Sequence, residues 1–252
     1  MKLKSGKLKW GILGAARVNE RLLPAIIQAP NSQLVAIASR RAGAAKATLE
    51  KYAPNYDGYV ACHDNLDSLI QDKNVEAIYC PMANEEHAQW AVKAINAGKH
   101  VLIEKPMATK LTDINAIETA AKKNNVKVME GFMYRFHPQH QRLQEIVASG
   151  VIGDILSVRS SFSFLMREAR MYRINRSMAD GGGALWDIGP YAIHTLRWGM
   201  GLNNHSNNLP YLEPLSCVAT AKLNEHGADI VTSGILDFGR DAKGREIGRA
   251  HV

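Results

Sequence analysis

The sequence predicts an α/β fold, a doubly wound parallel sheet followed by an α+β domain with an open, mainly antiparallel sheet. Three observations predict it. Short apolar runs such as Val101-Leu102-Ile103 are continuous, the pattern of strands buried on both faces by helices. Those runs alternate with segments of helical periodicity from Trp10 to about Met129, the order that builds parallel βαβ units. From Gly131 the character changes, and Ile155 to Phe164 partly alternates apolar with polar residues, as expected of an antiparallel strand with two unlike faces. A chain of 252 residues is long enough for two domains, drawn here at 1–132 and 133–252.

The formal charge of +7 resolves into a local cluster, because Lys2, Lys4, Lys7 and Lys9 stand together before the first strand. That is a basic arm without the aromatic interleaving of a nucleic-acid groove, so no nucleic acid is expected as a partner. Cys62, Cys80 and Cys217 are odd in number, far apart and free of CxxC spacing, which fits a reducing cytoplasm and predicts no metal site. The N-terminus has no apolar core of a leader, and no later run is long enough to cross a bilayer, so the chain is expected to be cytoplasmic with no membrane partner.

Taken in order, Trp10-Gly11-Ile12-Leu13 reads as a first strand, Gly14-Ala15-Ala16-Arg17-Val18-Asn19 as a turn, and Leu22, Leu23, Ile26 and Ile27 as one face of a helix. Strand, small-residue turn and helix is the opening of a dinucleotide-binding unit. Gly14 permits the tight turn, and Ala16 lets the backbone approach a pyrophosphate at the helix N-terminus. Ala16 and Asn19 replace the second and third glycines of the fingerprint, so by itself the segment is equally compatible with a plain strand-to-helix turn. A second strand, Leu34 to Ala38, ends in Ser39-Arg40-Arg41 where such folds meet the adenosine ribose. An acidic residue there would bind a free 2′-hydroxyl, whereas a hydroxyl and two guanidinium groups favour the 2′-phosphate of NADP, with NAD second. The alternative is that both arginines begin the solvent face of the next helix.

That helix is expected from Ala42 to Tyr52, followed by a short strand near Tyr59, a helix over Leu66 to Ile70, and a strand over Val75 to Tyr79. The last strand ends in Cys80-Pro81-Met82-Ala83-Asn84, and a helix carrying Trp90, Ala91, Ala94 and Ile95 closes at Gly98. Pro81, Asn84 and His87 therefore border the predicted cofactor crevice. A helix from Thr112, its expected N-cap, to Asn124 and a strand from Val126 to Met129 complete the first domain.

Two stretches carry chemistry. In His100 to Pro106 an apolar strand stops and charge arrives abruptly at Glu104 and Lys105, beyond the carboxyl end of a parallel strand, where ligands bind in open sheets. Taken alone, that is also an ordinary solvated pair. In Gly181 to His194, a helix from about Ala184 would set Asp187, Tyr191 and His194 on one face, with the glycines admitting a ligand and Pro190 kinking or restarting the helix. The alternative there is a buried tyrosine at a domain interface. Beyond them, Ser216 to Leu223 and Asp229 to Phe238 are candidate strands.

In sum, Gly-x-x-Gly-x-Ala at 11–16, Ala-Ser-Arg at 38–40, Glu-Lys-Pro at 104–106, Gly-Phe-Met-Tyr-Arg-Phe-His-Pro at 131–138 and Gly-Gly-Gly-Ala-Leu-x-Asp-Ile-Gly-x-Tyr at 181–191 resemble the Gfo/Idh/MocA oxidoreductase family in order and spacing. Within it the chain looks closest to the branch with tyrosine at position 191, which includes glucose-fructose oxidoreductase, NADP-dependent xylose dehydrogenases and dimeric dihydrodiol dehydrogenases. The resemblance implies a Rossmann domain binding NADP through Gly14, Ala15, Ala16, Arg17, Val18, Ser39, Arg40, Pro81, Asn84, His87, Glu104 and Lys105. It implies Lys105 and Tyr191 as the catalytic pair with Asp187 orienting substrate, and Lys105, Arg135, Asp187 and Tyr191 as substrate-binding residues. The reaction implied is hydride transfer between NADP(H) and a sugar or related cyclic alcohol, of the aldose or trans-dihydrodiol type. Oxidising an alcohol needs a proton acceptor, and an adjacent ammonium lowers the pKa of a phenol so that it can serve as one. The alternative is a non-catalytic NADP-binding sensor or partner protein on the same fold.

Family members run further, through strands completing an open sheet that also forms a dimer face. By that resemblance the second domain, for substrate binding and oligomerisation, is incomplete here. The closing Glu246 to Val252 resembles the translation of a sequencing-adapter oligonucleotide, so the expectation is a truncated reading frame whose implied activity belongs to the complete, homo-oligomeric parent.

Overall fold

A computed structural model of the chain describes residues 6–202, 211–239 and the backbone of 249–251. Lys2 and Lys4 of the basic arm, and residues 246–248 and 252 of the closing segment, lie outside the described residues. The chain divides into two units, Met1–Gly131 and Phe132–Val252.

In the first unit, β1 (Leu8–Leu13), α1 (Asn19–Gln28), β2 (Ser32–Ala38), α2 (Ala44–Tyr52), β3 (Ala61–His63), α3 (Leu66–Gln71), β4 (Ala77–Cys80), α4 (His87–Asn96), β5 (His100–Ile103), α5 (Leu111–Asn124) and β6 (Val128–Glu130) follow one another. The strands form a six-stranded sheet in the order β3-β2-β1-β4-β5-β6, every pair parallel. Chain order reverses between β1 and β4, which opens the ligand crevice at their carboxyl ends. The strands bury side chains on both faces. Leu13, Val35, Ile78 and Ile103 pack with α3, α4 and α5 residues on one side, and Ile12, Leu34, Ile37 and Tyr79 with α1 and α2 residues on the other. This two-sided burial is why the strands read as continuous apolar runs.

Several boundaries differ from expectation: α2 starts at Ala44, not Ala42, β4 spans Ala77–Cys80, not Val75–Tyr79, and β6 spans Val128–Glu130, not Val126–Met129. The strand expected near Tyr59 forms at Ala61–His63, where it pairs with Ala36–Ala38 of β2. Helix α5 begins at Leu111, with Lys110 at the N-cap position and no side-chain cap, so Thr112 lies inside the first turn.

The second unit contains α6 (Pro138–Ala148), α7 (Ala184–Asp187), α8 (Gly189–Gly201), β7 (Ser216–Leu223), β8 (Asp229–Asp237) and β9 (Arg249–His251). Both strand pairs in the order β7-β8-β9 are antiparallel, in an open sheet. The strand expected over Ile155 to Phe164 does not form, and the segment is irregular apart from one bridge residue at Arg159. Two of its apolar side chains find a helix instead of a ladder: Ile155 and Val158 pack against Leu196 and Met200 of α8 and against Phe238, while Leu156, Phe162 and Phe164 are exposed. The single helix expected from Ala184 is broken at Ile188, whose φ and ψ of −126° and −24° are not helical. Pro190 has no N–H to continue α7 and instead occupies the first turn of α8, where a missing donor costs nothing. Asp187 therefore does not share a continuous helical stripe with Tyr191 and His194.

Candidate active site

The β1–α1 turn is shaped by two residues. Gly14 adopts φ 128°, and a Cβ there would lie 3.3 Å from the Met82 sulfur. Asn19, fully buried at the place of the third fingerprint glycine, donates from Nδ2 to the Gly14 carbonyl at 2.8 Å, tying the helix to the turn. No side chain caps α1. The adjoining cleft, about 550 Å³, is lined by Ala15, Ala16, Arg17, Arg41, Thr48 and Lys51 among others. A glycine-shaped turn, an uncapped helix N-terminus and three cations in one cleft fit the phosphates of a dinucleotide. At the end of β2, Ser39 is buried and its Oγ accepts from the Arg41 N–H at 3.1 Å, while Arg40 is exposed and forms an ion pair with Glu86.

Beyond β4 and β5 the structure gathers a braced loop. The Tyr79 hydroxyl donates to Glu104 Oε1 at 2.6 Å, and the Glu104 carboxylate also accepts the Lys105 N–H at 3.3 Å. The His87 ring lies between two main-chain carbonyls, Nδ1 at 2.7 Å from Pro106 O and Nε2 at 2.9 Å from Met82 O. Burial lowers the His87 pKa against the pull of those carbonyls, so the neutral ring donates to one of them. Glu130 Oε1 then accepts the Met107 N–H at 2.8 Å. Glu104, Pro106 and Met107 are thus each held by a side chain from another strand or helix, and Lys105 rides on that support. The Lys105–Pro106 peptide bond is cis. Pro81 is buried at the exit of β4, and Asn84 opens the 3-10 turn before His87. Cys80 is buried beside them, and burial pushes its thiol up to about 12, which leaves it inert at neutral pH.

In the second unit, Asp187 is buried and its Oδ1 accepts a short ion-paired hydrogen bond from Arg173 Nη1. Burial disfavours the Arg173 charge, and Asp187 more than restores it, raising the guanidinium's pKa. Tyr191 stands in an aromatic cluster, its ring 5.7 Å from Phe132, 6.0 Å from Tyr134 and 5.7 Å from Phe162. His194 stacks on Phe132 at 4.3 Å and accepts at Nδ1 from the Tyr134 hydroxyl, which itself accepts from Thr195 Oγ1 at 3.3 Å. Burial first, then the charges of Arg135 and Arg197 and the nearby His140, lower the His194 pKa to about 4. Arg135 lies over the rings of Phe136 and Tyr211.

Gly182 and Gly183 meet protein where sequence suggested a ligand. A Cβ on Gly182 would lie 2.3 Å from the Arg176 carbonyl, and one on Gly183 2.0 Å from Asp229 Oδ1. Among the described residues no three His, Cys, Asp or Glu side chains converge on a metal position, and no helix is long and apolar enough to cross a membrane. Sequence reasoning passed over Tyr79, Glu86, Glu130, Arg173 and Asp229. The signals were faint: an aromatic in an aliphatic strand, a carboxylate ending another, and arginines at 170 and 173 whose spacing of three suits the 3-10 turn Glu168–Arg173.

Residues 8–132 match the model of an oxidoreductase family with an NAD-binding Rossmann fold, and residues 140–245 match the GFO/IDH/MocA C-terminal domain. D-xylose 1-dehydrogenase (NADP(+)) 2 of Haloferax volcanii is 31% identical over 94% of this chain and 68% of its own. Trans-1,2-dihydrobenzene-1,2-diol dehydrogenase of Xenopus tropicalis is 29% identical over 91% of this chain and 65% of its own. The crystal structure of KijD10, a 3-ketoreductase from Actinomadura kijaniata in complex with NADP and TDP-benzene, superposes with a TM-score of 0.77 at 29% identity, covering 97% of this chain and 69% of that one. Solved forms of that ketoreductase include a tyrosine-to-phenylalanine variant and lysine-to-alanine and lysine-to-glutamate variants. The chain spans about two thirds of the length of the curated relatives it matches.

Proposed function

The chain belongs to the GFO/IDH/MocA oxidoreductase family, and from that premise we propose that it transfers a hydride between NADP(H) and a sugar or related cyclic alcohol, an aldose or a trans-dihydrodiol. The observation that carries this reading is the braced loop around Lys105, because a group that steadies developing charge must be held still before the reaction begins. The turn at Gly14 to Val18 takes the pyrophosphate, with Pro81, Asn84, Glu104 and Lys105 along the crevice. Ser39 and Arg40 take the 2′-phosphate, a choice favoured by the absence of an acidic side chain at the end of β2.

Bound nicotinamide supplies the hydride acceptor or donor. Tyr191 takes the proton of the substrate hydroxyl in the oxidative direction and returns it in the reductive one, while the Lys105 ammonium stabilises negative charge on the oxygen. Asp187, anchored by Arg173, accepts a substrate hydroxyl hydrogen bond, and Arg135 adds a further donor. The aromatic rings around Tyr191 offer an apolar wall to the C–H face of a ring substrate. A second copy is the proposed partner, meeting the open sheet through β7, whose eight residues are all exposed. The free thiols of Cys62, Cys80 and Cys217 suit a cytoplasmic setting.

Tyr191→Phe tests the reading. Single-turnover cofactor absorbance with a panel of aldoses and trans-diols should slow by about a hundred- to ten-thousand-fold, with NADPH affinity within about twofold of the parent. Equal loss of both makes Tyr191 a structural residue, and no turnover of any substrate by the parent returns the chain to a nucleotide sensor.

A further inference from the structure

Arg40 is offered to the solvent at the carboxyl end of β2, yet both prongs of its guanidinium fork are taken. Nη1 donates to Glu86 Oε1 at 2.6 Å and Nη2 to Glu86 Oε2 at 3.0 Å. Glu86 closes the 3-10 turn Asn84–Glu86 that follows β4. In the sheet, β1 lies between β2 and β4, so this ion pair links the two strand exits that flank the Gly14 turn.

We propose that Glu86 is a specificity-determining residue for the cofactor, whose carboxylate competes with a ribose 2′-phosphate for the guanidinium of Arg40. The inference rests on the NADP reading above. A carboxylate and a phosphate monoester are alternative bidentate partners of the same planar fork. Glu86 therefore opposes the phosphate twice, by holding the donors and by repelling a second anion. A cofactor with a free 2′-hydroxyl meets neither obstacle, and it finds in Glu86 the acidic acceptor that the end of β2 lacks. Glu86 thus narrows the preference for NADP over NAD. Side-chain exposures of 60% for Arg40 and 23% for Glu86 mark a pair that solvent reaches and a stronger anion can open.

The test measures the affinities of NADPH and NADH by nicotinamide fluorescence, and of 2′,5′-ADP and 5′-AMP by calorimetry. The proteins are the parent, Glu86→Gln, Glu86→Ala, Arg40→Ala and the Arg40→Ala/Glu86→Gln double variant. Glu86→Gln should tighten NADPH and 2′,5′-ADP by about two- to fivefold, the range of a solvent-exposed ion pair, while leaving 5′-AMP and NADH both unchanged or both weaker. In the Arg40→Ala background the gain should shrink to the part owed to the lost repulsion. If Arg40→Ala abolishes the preference for the 2′-phosphate but neither Glu86 variant raises it, the competition is refuted and the NADP reading stands. If the parent shows no preference for 2′,5′-ADP over 5′-AMP, the NADP reading itself fails; if it shows one that Arg40→Ala leaves intact, Arg40 is not the phosphate's partner and the competition is refuted.

Discussion

Replacing Gly183 with alanine should unfold the part of the second unit that carries Asp187. Gly183 holds φ 107° and ψ 168°, a region open to glycine and costing an L side chain about 1–3 kcal/mol. The new Cβ would stand 2.0 Å from Asp229 Oδ1 and 3.1 Å from the Asp229 nitrogen. Asp229 has no exposure and begins β8, so its backbone cannot retreat without breaking the pairing with Leu223. Its other oxygen, Oδ2, accepts from the Leu185 N–H at 2.8 Å and from the Thr232 hydroxyl at 2.6 Å. Hydrogen bonds to charged groups are worth about 1.5–3 kcal/mol each, so displacing the carboxylate costs about 3–6 kcal/mol. With the backbone term the total is about 4–9 kcal/mol, comparable to the stability of a whole domain. Hydrogen exchange resolved by peptide separates the units: protection over 184–202 should collapse while that over 77–103 persists. Asp229→Ala removes the colliding atom, so adding Gly183→Ala to it should cost only the backbone term of about 1–3 kcal/mol. A loss below about 1 kcal/mol for the single variant, or additive effects of the two, refutes this packing argument.

Acid should act through His194. Its folded pKa of about 4 lies below the ordinary 6.5, so the neutral ring is the native form and the unfolded chain binds the extra proton between those values. Stability from this group is complete above about pH 6.5 and falls as the pH drops toward 4, by about 3 kcal/mol at most. Urea midpoints at pH 7 and 4.5 measure it, and His194→Gln should flatten the difference; parallel curves contradict it. His87→Ala should slow hydride transfer by on the order of ten- to a hundredfold through loss of the loop brace, with NADPH affinity little changed. His87→Gln, which keeps a donor, should fall between them. If affinity drops as far as rate, His87 contacts the cofactor directly, as its place in the sequence suggested.

The alternation of strands and helices was legible because burial on both faces writes itself into short continuous apolar runs, which β1, β2, β4 and β5 follow within two residues, whereas the short edge strand β3 carries no such run. The antiparallel strands β7 and β8 stand where the residues from Ser216 and Asp229 pointed. The segment 155–164 misled because alternation states that two faces differ without naming what covers them, and here a helix face serves as well as a neighbouring strand. Ile188 was hidden for another reason: a proline marks a kink and a helix start alike, and only packing chooses.

By itself, then, the sequence determined the doubly wound sheet, the order of the motifs, and the positions of Gly14, Ser39, Arg40 and Lys105 just past the ends of strands, whereas it set Tyr191 inside one long helix that the structure breaks at Ile188. These follow from local periodicity and from backbone freedom within a few residues. The tertiary structure alone decided who holds whom. Tyr79 reaches Glu104 across 25 positions, Glu86 reaches Arg40 across 46, and Asp229 reaches Leu185 across 44. Such pairs depend on which strand ends become neighbours in space, and no regular spacing along the chain encodes that.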